Sequence, residues 1–163
     1  MRILGIDPGF GSIGWAIVEY PLSIVDFDVI ETDKLKQFDD RLLETHNSLI
    51  HIINKFNPDC IAIERLFFSK NTKTAIDVAK CIGAILLTAK LSGLTYTEYT
   101  PSQIKQAIAG YGRATKNQMK KMIMNIFKID ELTGPDDASD ALAIAVCHSL
   151  NLVNYRKINE KKV

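Results

Sequence analysis

The hydrophobic period of the chain changes at Phe38, and that change constrains the fold more than any other feature. Before it, apolar residues come in short runs of strand character. Ile3–Asp7 stops at Asp-Pro-Gly, Ile13–Glu19 follows at hairpin distance, and Ile24–Thr32 forms a third run. From Phe38 onward, Leu42, Leu43, His46, Leu49, Ile50, Ile53 and Phe56 recur at helical spacing until Asn57-Pro58 stops the helix. Strand and helix periods then alternate. Cys60–Ile63 is an apolar strand ending at Glu64. Thr74–Leu91 is a helix with Ala75, Val78, Ala79, Ile82, Ile85, Leu86 and Ala89 on one side, and Thr95–Tyr99 is a fifth strand. Pro101 opens a helix to Ala109, and Gly110-Tyr111-Gly112 breaks the chain. Lys116–Phe127 is another helix, and Gly134-Pro135-Asp136 starts a last one running to about Leu152. The order predicts an α/β fold: three antiparallel strands, then α/β units, giving a mixed five-stranded sheet flanked by helices.

With 163 residues, the chain is expected to form one domain over residues 1–153. A basic, flexible C-terminal tail with Arg156, Lys157, Lys161 and Lys162 is expected over 154–163. No apolar run approaches the ~18 residues of a membrane span, and Met1–Asp7 has no signal-peptide character. No membrane association is expected. Cys60, Cys81 and Cys147 are odd in number and far apart, with no zinc spacing. A reducing, cytoplasmic setting is the expectation. The formal charge of +1 argues at face value against a polyanion partner, but the charge is uneven. Residues 1–98 hold ten basic and thirteen acidic side chains; residues 99–163 hold ten and six. Between Glu98 and Asp130 no acid occurs, while Lys105, Arg113, Lys116, Lys120, Lys121 and Lys128 do. Such a window is either a solvated helix face or a local field that attracts phosphates.

Four acids occupy unusual places. Asp7 ends the first strand and Glu64 the fourth; Asp137 and Asp140 stand three apart at the start of the last helix, on one face. Singly, each has a plain structural reading. Asp7 before Pro-Gly is a turn residue, and Asp136 and Asp137 are first-turn acids favoured by the helix dipole, which suffices for Asp136. Together they make an oxygen-rich pocket beyond the strand ends, where α/β sheets place their ligands. Crowded carboxylates raise each other's pKa unless a cation neutralises them, and hard oxygens suit Mg²⁺ or Mn²⁺. Two such ions about 3.5–4 Å apart activate a water and stabilise the leaving oxygen of a phosphodiester.

A glycine-rich hairpin, Gly5–Gly14, offers a phosphate-cradling alternative of the ATPase kind. That design needs two domains, and no P-loop or dinucleotide fingerprint is present. Phe67 and Phe68 precede the polar Ser69, Lys70, Asn71 and Thr72. An aromatic on such a loop can stack on an unpaired base for ~1–3 kcal/mol; Phe67 is assigned that role and Phe68 packing. His46 and His51 read as structural, and His148, eight residues after Asp140 on the last helix, lies at least one turn away from the pocket.

Five blocks in order resemble the RuvC-type Holliday-junction resolvases. They are Ile6-Asp7-Pro8-Gly9 with Gly14-Trp15-Ala16; Ala62-Ile63-Glu64-Arg65-Leu66-Phe67 with Lys70-Asn71; Lys105-Gln106-Ala107; Gly110-Tyr111-Gly112 with Lys116; and Asp137–Ala145. The resemblance covers about residues 1–150; Trp15 and Arg65 depart from the pattern. It implies a ribonuclease-H-like fold and a homodimer that binds a four-way DNA junction and nicks two strands symmetrically, leaving 5′-phosphate and 3′-hydroxyl ends. It further implies that Asp7, Glu64, Asp137 and Asp140 hold two Mg²⁺ ions, with Mn²⁺ able to substitute. Phe67 would stack near the crossover, and Lys105 and Lys116 would lie near the scissile strand. Lys70, Arg113 and Lys120 join the expected DNA contacts. For cellular bacterial members the resemblance also suggests a RuvAB-type branch-migration complex as partner. Its competitors are another branched-DNA or RNA nuclease on the same fold, and a junction binder that does not cut.

Overall fold

A computed structural model describes residues 1–66 and 72–160, with side chains described for 1–66 and 75–153. The elements in chain order are β1 (Arg2–Asp7), β2 (Ser12–Glu19), β3 (Ser23–Glu31), α1 (Phe38–Phe56), β4 (Cys60–Glu64), α2 (Thr72–Leu91), β5 (Thr95–Tyr99), α3 (Pro101–Ala109), α4 (Lys116–Phe127) and α5 (Asp136–Glu160). The strands form one sheet in the order β3-β2-β1-β4-β5. β1, β2 and β3 pair antiparallel, whereas β4 pairs parallel to both β1 and β5. This is the mixed sheet expected from the period change.

Two apolar layers sandwich the sheet because its central strands bury both faces. Leu4, Ile6, Ile13, Trp15, Ile17, Ile61 and Ile63 pack with Leu49, Ile53, Ile82 and Ile85 of α1 and α2. Ile3, Ala16, Val18 and Ala62 pack on the other face with α5 and with Ile104, Ile108, Met119 and Ile123 of α3 and α4. Each fully buried isoleucine or leucine contributes roughly 1.5–3 kcal/mol. α5 itself is buried nearly all round from Ala141 to Cys147, as expected of a helix apolar on every side.

The helix ends follow from local chemistry. Thr100 and Thr115 each cap a helix through a reciprocal box, with Gln103 and Gln118 reaching back to the cap backbone. Pro101 pre-sets the first turn of α3, and Gly110 ends it at φ 82°. Asn57 closes α1 in the left-handed region just before Pro58. Two helix boundaries differ from expectation. α2 starts at Thr72 rather than Thr74, and α5 continues to Glu160, past the expected end near Leu152. No glycine or proline follows Leu152 to stop it.

Candidate active site

Strand alternation aims the carboxylates. Leu4 and Ile6 face α1 and α2, so Ile3, Gly5 and Asp7 face α5. In β4, Ile61 and Ile63 face α1 and α2, which puts Ala62 and Glu64 on the α5 side. The parallel register pairs Ile6 with Ile63. Asp7 and Glu64 therefore emerge side by side from the same end of neighbouring strands.

Two glycines bring α5 down onto them. A Cβ on Gly14 would lie 1.9 Å from the Asp137 carbonyl oxygen, and one on Gly5 would lie 2.3 Å from that of Ala141. The first two turns of α5 thus press directly on β2 and β1, which carries Asp137 and Asp140 over the end of the sheet. Ser12 at the start of β2 donates its hydroxyl to Asp137 Oδ2 at 2.6 Å. On the far side Lys116, at the first turn of α4, pairs through Nζ with Asp140 Oδ2 at 3.1 Å.

Electrostatics agree with the crowding. Asp7 is raised from an ordinary 3.8 to about 7, first by burial and then by Glu64, Asp140 and Asp137, with Lys116 acting in the opposite sense. Glu64 is raised by burial and by Asp140, and lowered by Lys105 and Lys116. The hydrogen bond and charge of Asp140 hold Lys116 above the usual ammonium range. Four hard-oxygen groups with negative charge in excess fit divalent cations of the Mg²⁺ or Mn²⁺ kind. Among the described residues, no three His, Cys, Asp or Glu side chains stand close enough to cage one ion as placed. Lys116 and Ser12 instead hold Asp140 and Asp137.

Clefts flank the carboxylates. One of about 190 Å³ is lined by Glu64, Lys105, Lys116 and Asp140, with Ile104 and Met119 beneath. Another of about 260 Å³ runs along Asp7, Pro8, Glu64 and Arg65. A hollow between α4 and α5 carries Lys120 beside Lys116 and Asn117. The structure thus brings Asp7, Glu64, Asp137, Asp140, Lys105 and Lys116 to one place, with Lys120 at its border. Arg113 is exposed on the α3–α4 connection. Phe67 and Lys70 lie outside the described residues.

Sequence reasoning missed Ser12, whose role depends on a partner 125 positions away. Two of the histidines are bonded inside the fold: His46 Nδ1 meets Thr88 Oγ1 at 2.7 Å, and His148 lies between the Tyr99 hydroxyl at 2.8 Å and Cys60 Sγ at 3.5 Å.

This arrangement agrees with the comparisons with known proteins. The family described as crossover junction endodeoxyribonuclease RuvC matches residues 3–148. The RuvC of Halothermothrix orenii is 44% identical across 99% of this chain and 97% of its own length. That of Ruminiclostridium cellulolyticum is 47% identical across 91% of each chain. The structure of Thermus thermophilus RuvC superposes with a TM-score of 0.85 at 30% identity, covering 93% of this chain and 95% of that one. The same protein in complex with a Holliday junction substrate gives 0.86 at 29% identity, covering 93% and 94%. Sheet order, match extent and near end-to-end similarity agree, and the chain belongs to the RuvC family of crossover junction endodeoxyribonucleases.

Proposed function

We propose that this chain binds four-way DNA junctions and nicks two strands of like polarity, using divalent cations held by Asp7, Glu64, Asp137 and Asp140. The observation that carries the reading is the convergence of these acids at one end of the sheet, fringed by Lys105 and Lys116. Cations bound there supply a nucleophile at neutral pH and neutralise charge on the leaving oxygen.

The chain's own part is positioning. Asp7, which is raised by the charges of all three other acids, would share in holding the cations with each of them. Ser12 keeps Asp137 from rotating away. Lys116 leaves Asp140 for a phosphate when DNA arrives, and Lys105 takes a neighbouring phosphate across the cleft. Lys120 and Arg113 extend the basic track, Lys70 adds a phosphate contact, and Phe67 stacks on a base at the crossover. Cleavage leaves 5′-phosphate and 3′-hydroxyl ends. One domain holds one such site, so paired cuts require a homodimer. Work on junctions moved by a branch-migration motor, in the cytoplasm, completes the reading.

A substrate panel tests it: a mobile four-way junction, a linear duplex, a flap and an RNA–DNA hybrid, each with Mg²⁺ and with EDTA. Symmetric, ligatable nicks confined to the junction and to Mg²⁺ are expected. Equal cutting of the hybrid, or nicking in EDTA, would contradict the proposal.

A further inference from the structure

The turn joining β1 to β2 has Asp7 at its entry and Ser12 at its exit, so whatever fixes the turn fixes both. Arg41, in the first turns of α1, does so from below. Its side chain is buried, with the residue only 9% exposed. Among the described residues no carboxylate lies at ion-pair distance from it. Its guanidinium is instead spent on the turn. Nη2 donates to the Phe10 carbonyl at 3.0 Å, and Nε donates to Thr32 Oγ1 at 3.0 Å. The guanidinium carbon sits 3.7 Å from the centre of the Phe10 ring, which stacks on Phe38 at 4.7 Å. Thr32 completes the clamp: its hydroxyl donates to the same Phe10 carbonyl at 3.1 Å, and its N–H donates to the Gly11 carbonyl at 3.2 Å. Two consecutive carbonyls of the turn are thus tied down, that of Phe10 by Arg41 and Thr32 and that of Gly11 by Thr32, the residue just past β3. The next residue is Ser12, which holds Asp137 at 2.6 Å.

A buried cation without a counter-ion is costly, and an apolar side chain would fill the space at lower desolvation cost. The guanidinium supplies what an apolar group or a lysine does not: a planar fork that fixes two acceptors while stacking on a ring. We propose that Arg41 is a positioning residue for the carboxylate set, locking the β1–β2 turn so that Asp7 at one end and the Ser12–Asp137 pair at the other stand ready for a divalent cation. This rests on reading those acids as a cation site.

The test is Mn²⁺ binding to the full chain, followed by electron paramagnetic resonance of the free ion, together with the Mn²⁺ dependence of junction nicking. Arg41→Met and Arg41→Lys are expected to weaken Mn²⁺ binding about tenfold, the lower end of the ~10–100-fold loss that follows removal of a direct partner of a ligand, because Arg41 acts through the turn. Excess Mn²⁺ should restore most of the nicking. Ser12→Ala should act in the same direction, and the Arg41→Met/Ser12→Ala double variant should bind no more weakly than the worse single one. Ile85→Val, a core change on α2, should lower thermal stability without moving Mn²⁺ binding. If Arg41→Met does not fold, Thr32→Val removes one hydroxyl from the same carbonyl and should give a smaller loss of the same kind. Wild-type Mn²⁺ binding in the folded clamp variants, or fully additive losses in the double variant, would overturn the proposal. Asp7→Asn separates the two claims: if it alone loses Mn²⁺, the cation reading stands without Arg41, and if it too binds normally, both fall.

Discussion

Burial and three neighbouring acids raise Asp7 to about 7, so from pH about 4 to 7 the folded chain keeps a proton that the unfolded chain has released. Stability supplied by that proton is fully present below the unfolded value of 3.8 and is lost as pH rises through about 7. Metal-free protein should therefore melt at progressively lower temperature over this window, and Mg²⁺ should reverse the fall at pH 8, both readable by calorimetry. Asp7→Asn removes the charge and should raise the metal-free melting temperature at pH 8 by about 2–4 °C per kcal/mol of repulsion relieved. A lower melting temperature would mean that Asp7 is held by favourable contacts instead. Lys116 behaves differently. Its pair with Asp140 is largely exposed and is worth at most ~1 kcal/mol to stability, so Lys116→Ala should barely shift melting while weakening junction nicking at least tenfold. At this scale the four acids were legible because strand ends and a first helical turn announce themselves locally. Ser12 and Arg41 were not, because their partners are brought near only by the fold.

The sheet and α5 set the distances between those residues. Gly14 and Gly5 are the points where α5 touches the sheet backbone, and there a methyl group has no room. Gly14→Ala should push the first turn of α5 outward, cost roughly 1–3 kcal/mol, and separate Asp137 from Ser12. Gly83→Ala on α2 meets nothing within 4 Å and should be neutral or slightly stabilising. Denaturant melts of the two variants, with Mn²⁺ titrations, check the contrast. All ten elements were readable from periodicity and punctuation, and sheet order was not. The position of β1 in the middle, flanked by β2 and β4, follows from long-range pairing and the parallel crossover through α1. α5 runs on to Glu160, past the expected end near Leu152, because neither glycine nor proline follows to stop it.

Across the molecule, acids gather where cations are expected and bases where phosphates are, and a net charge of +1 conceals the division. The logarithm of junction affinity should fall linearly with log salt, with a slope of about 0.9 per phosphate contact, and Lys105→Ala should lower that slope by about 1. An unchanged slope would remove Lys105 from the DNA surface. The central claim is that the four carboxylates are the cutting centre of a junction-selective nuclease. Its most direct test compares wild type with Asp7→Asn on a four-way junction in Mg²⁺, measuring binding and nicking in the same samples. The account predicts that the variant binds the junction at least as tightly as wild type and nicks it more than about 100-fold more slowly. Nicking at the wild-type rate by the bound variant would contradict it.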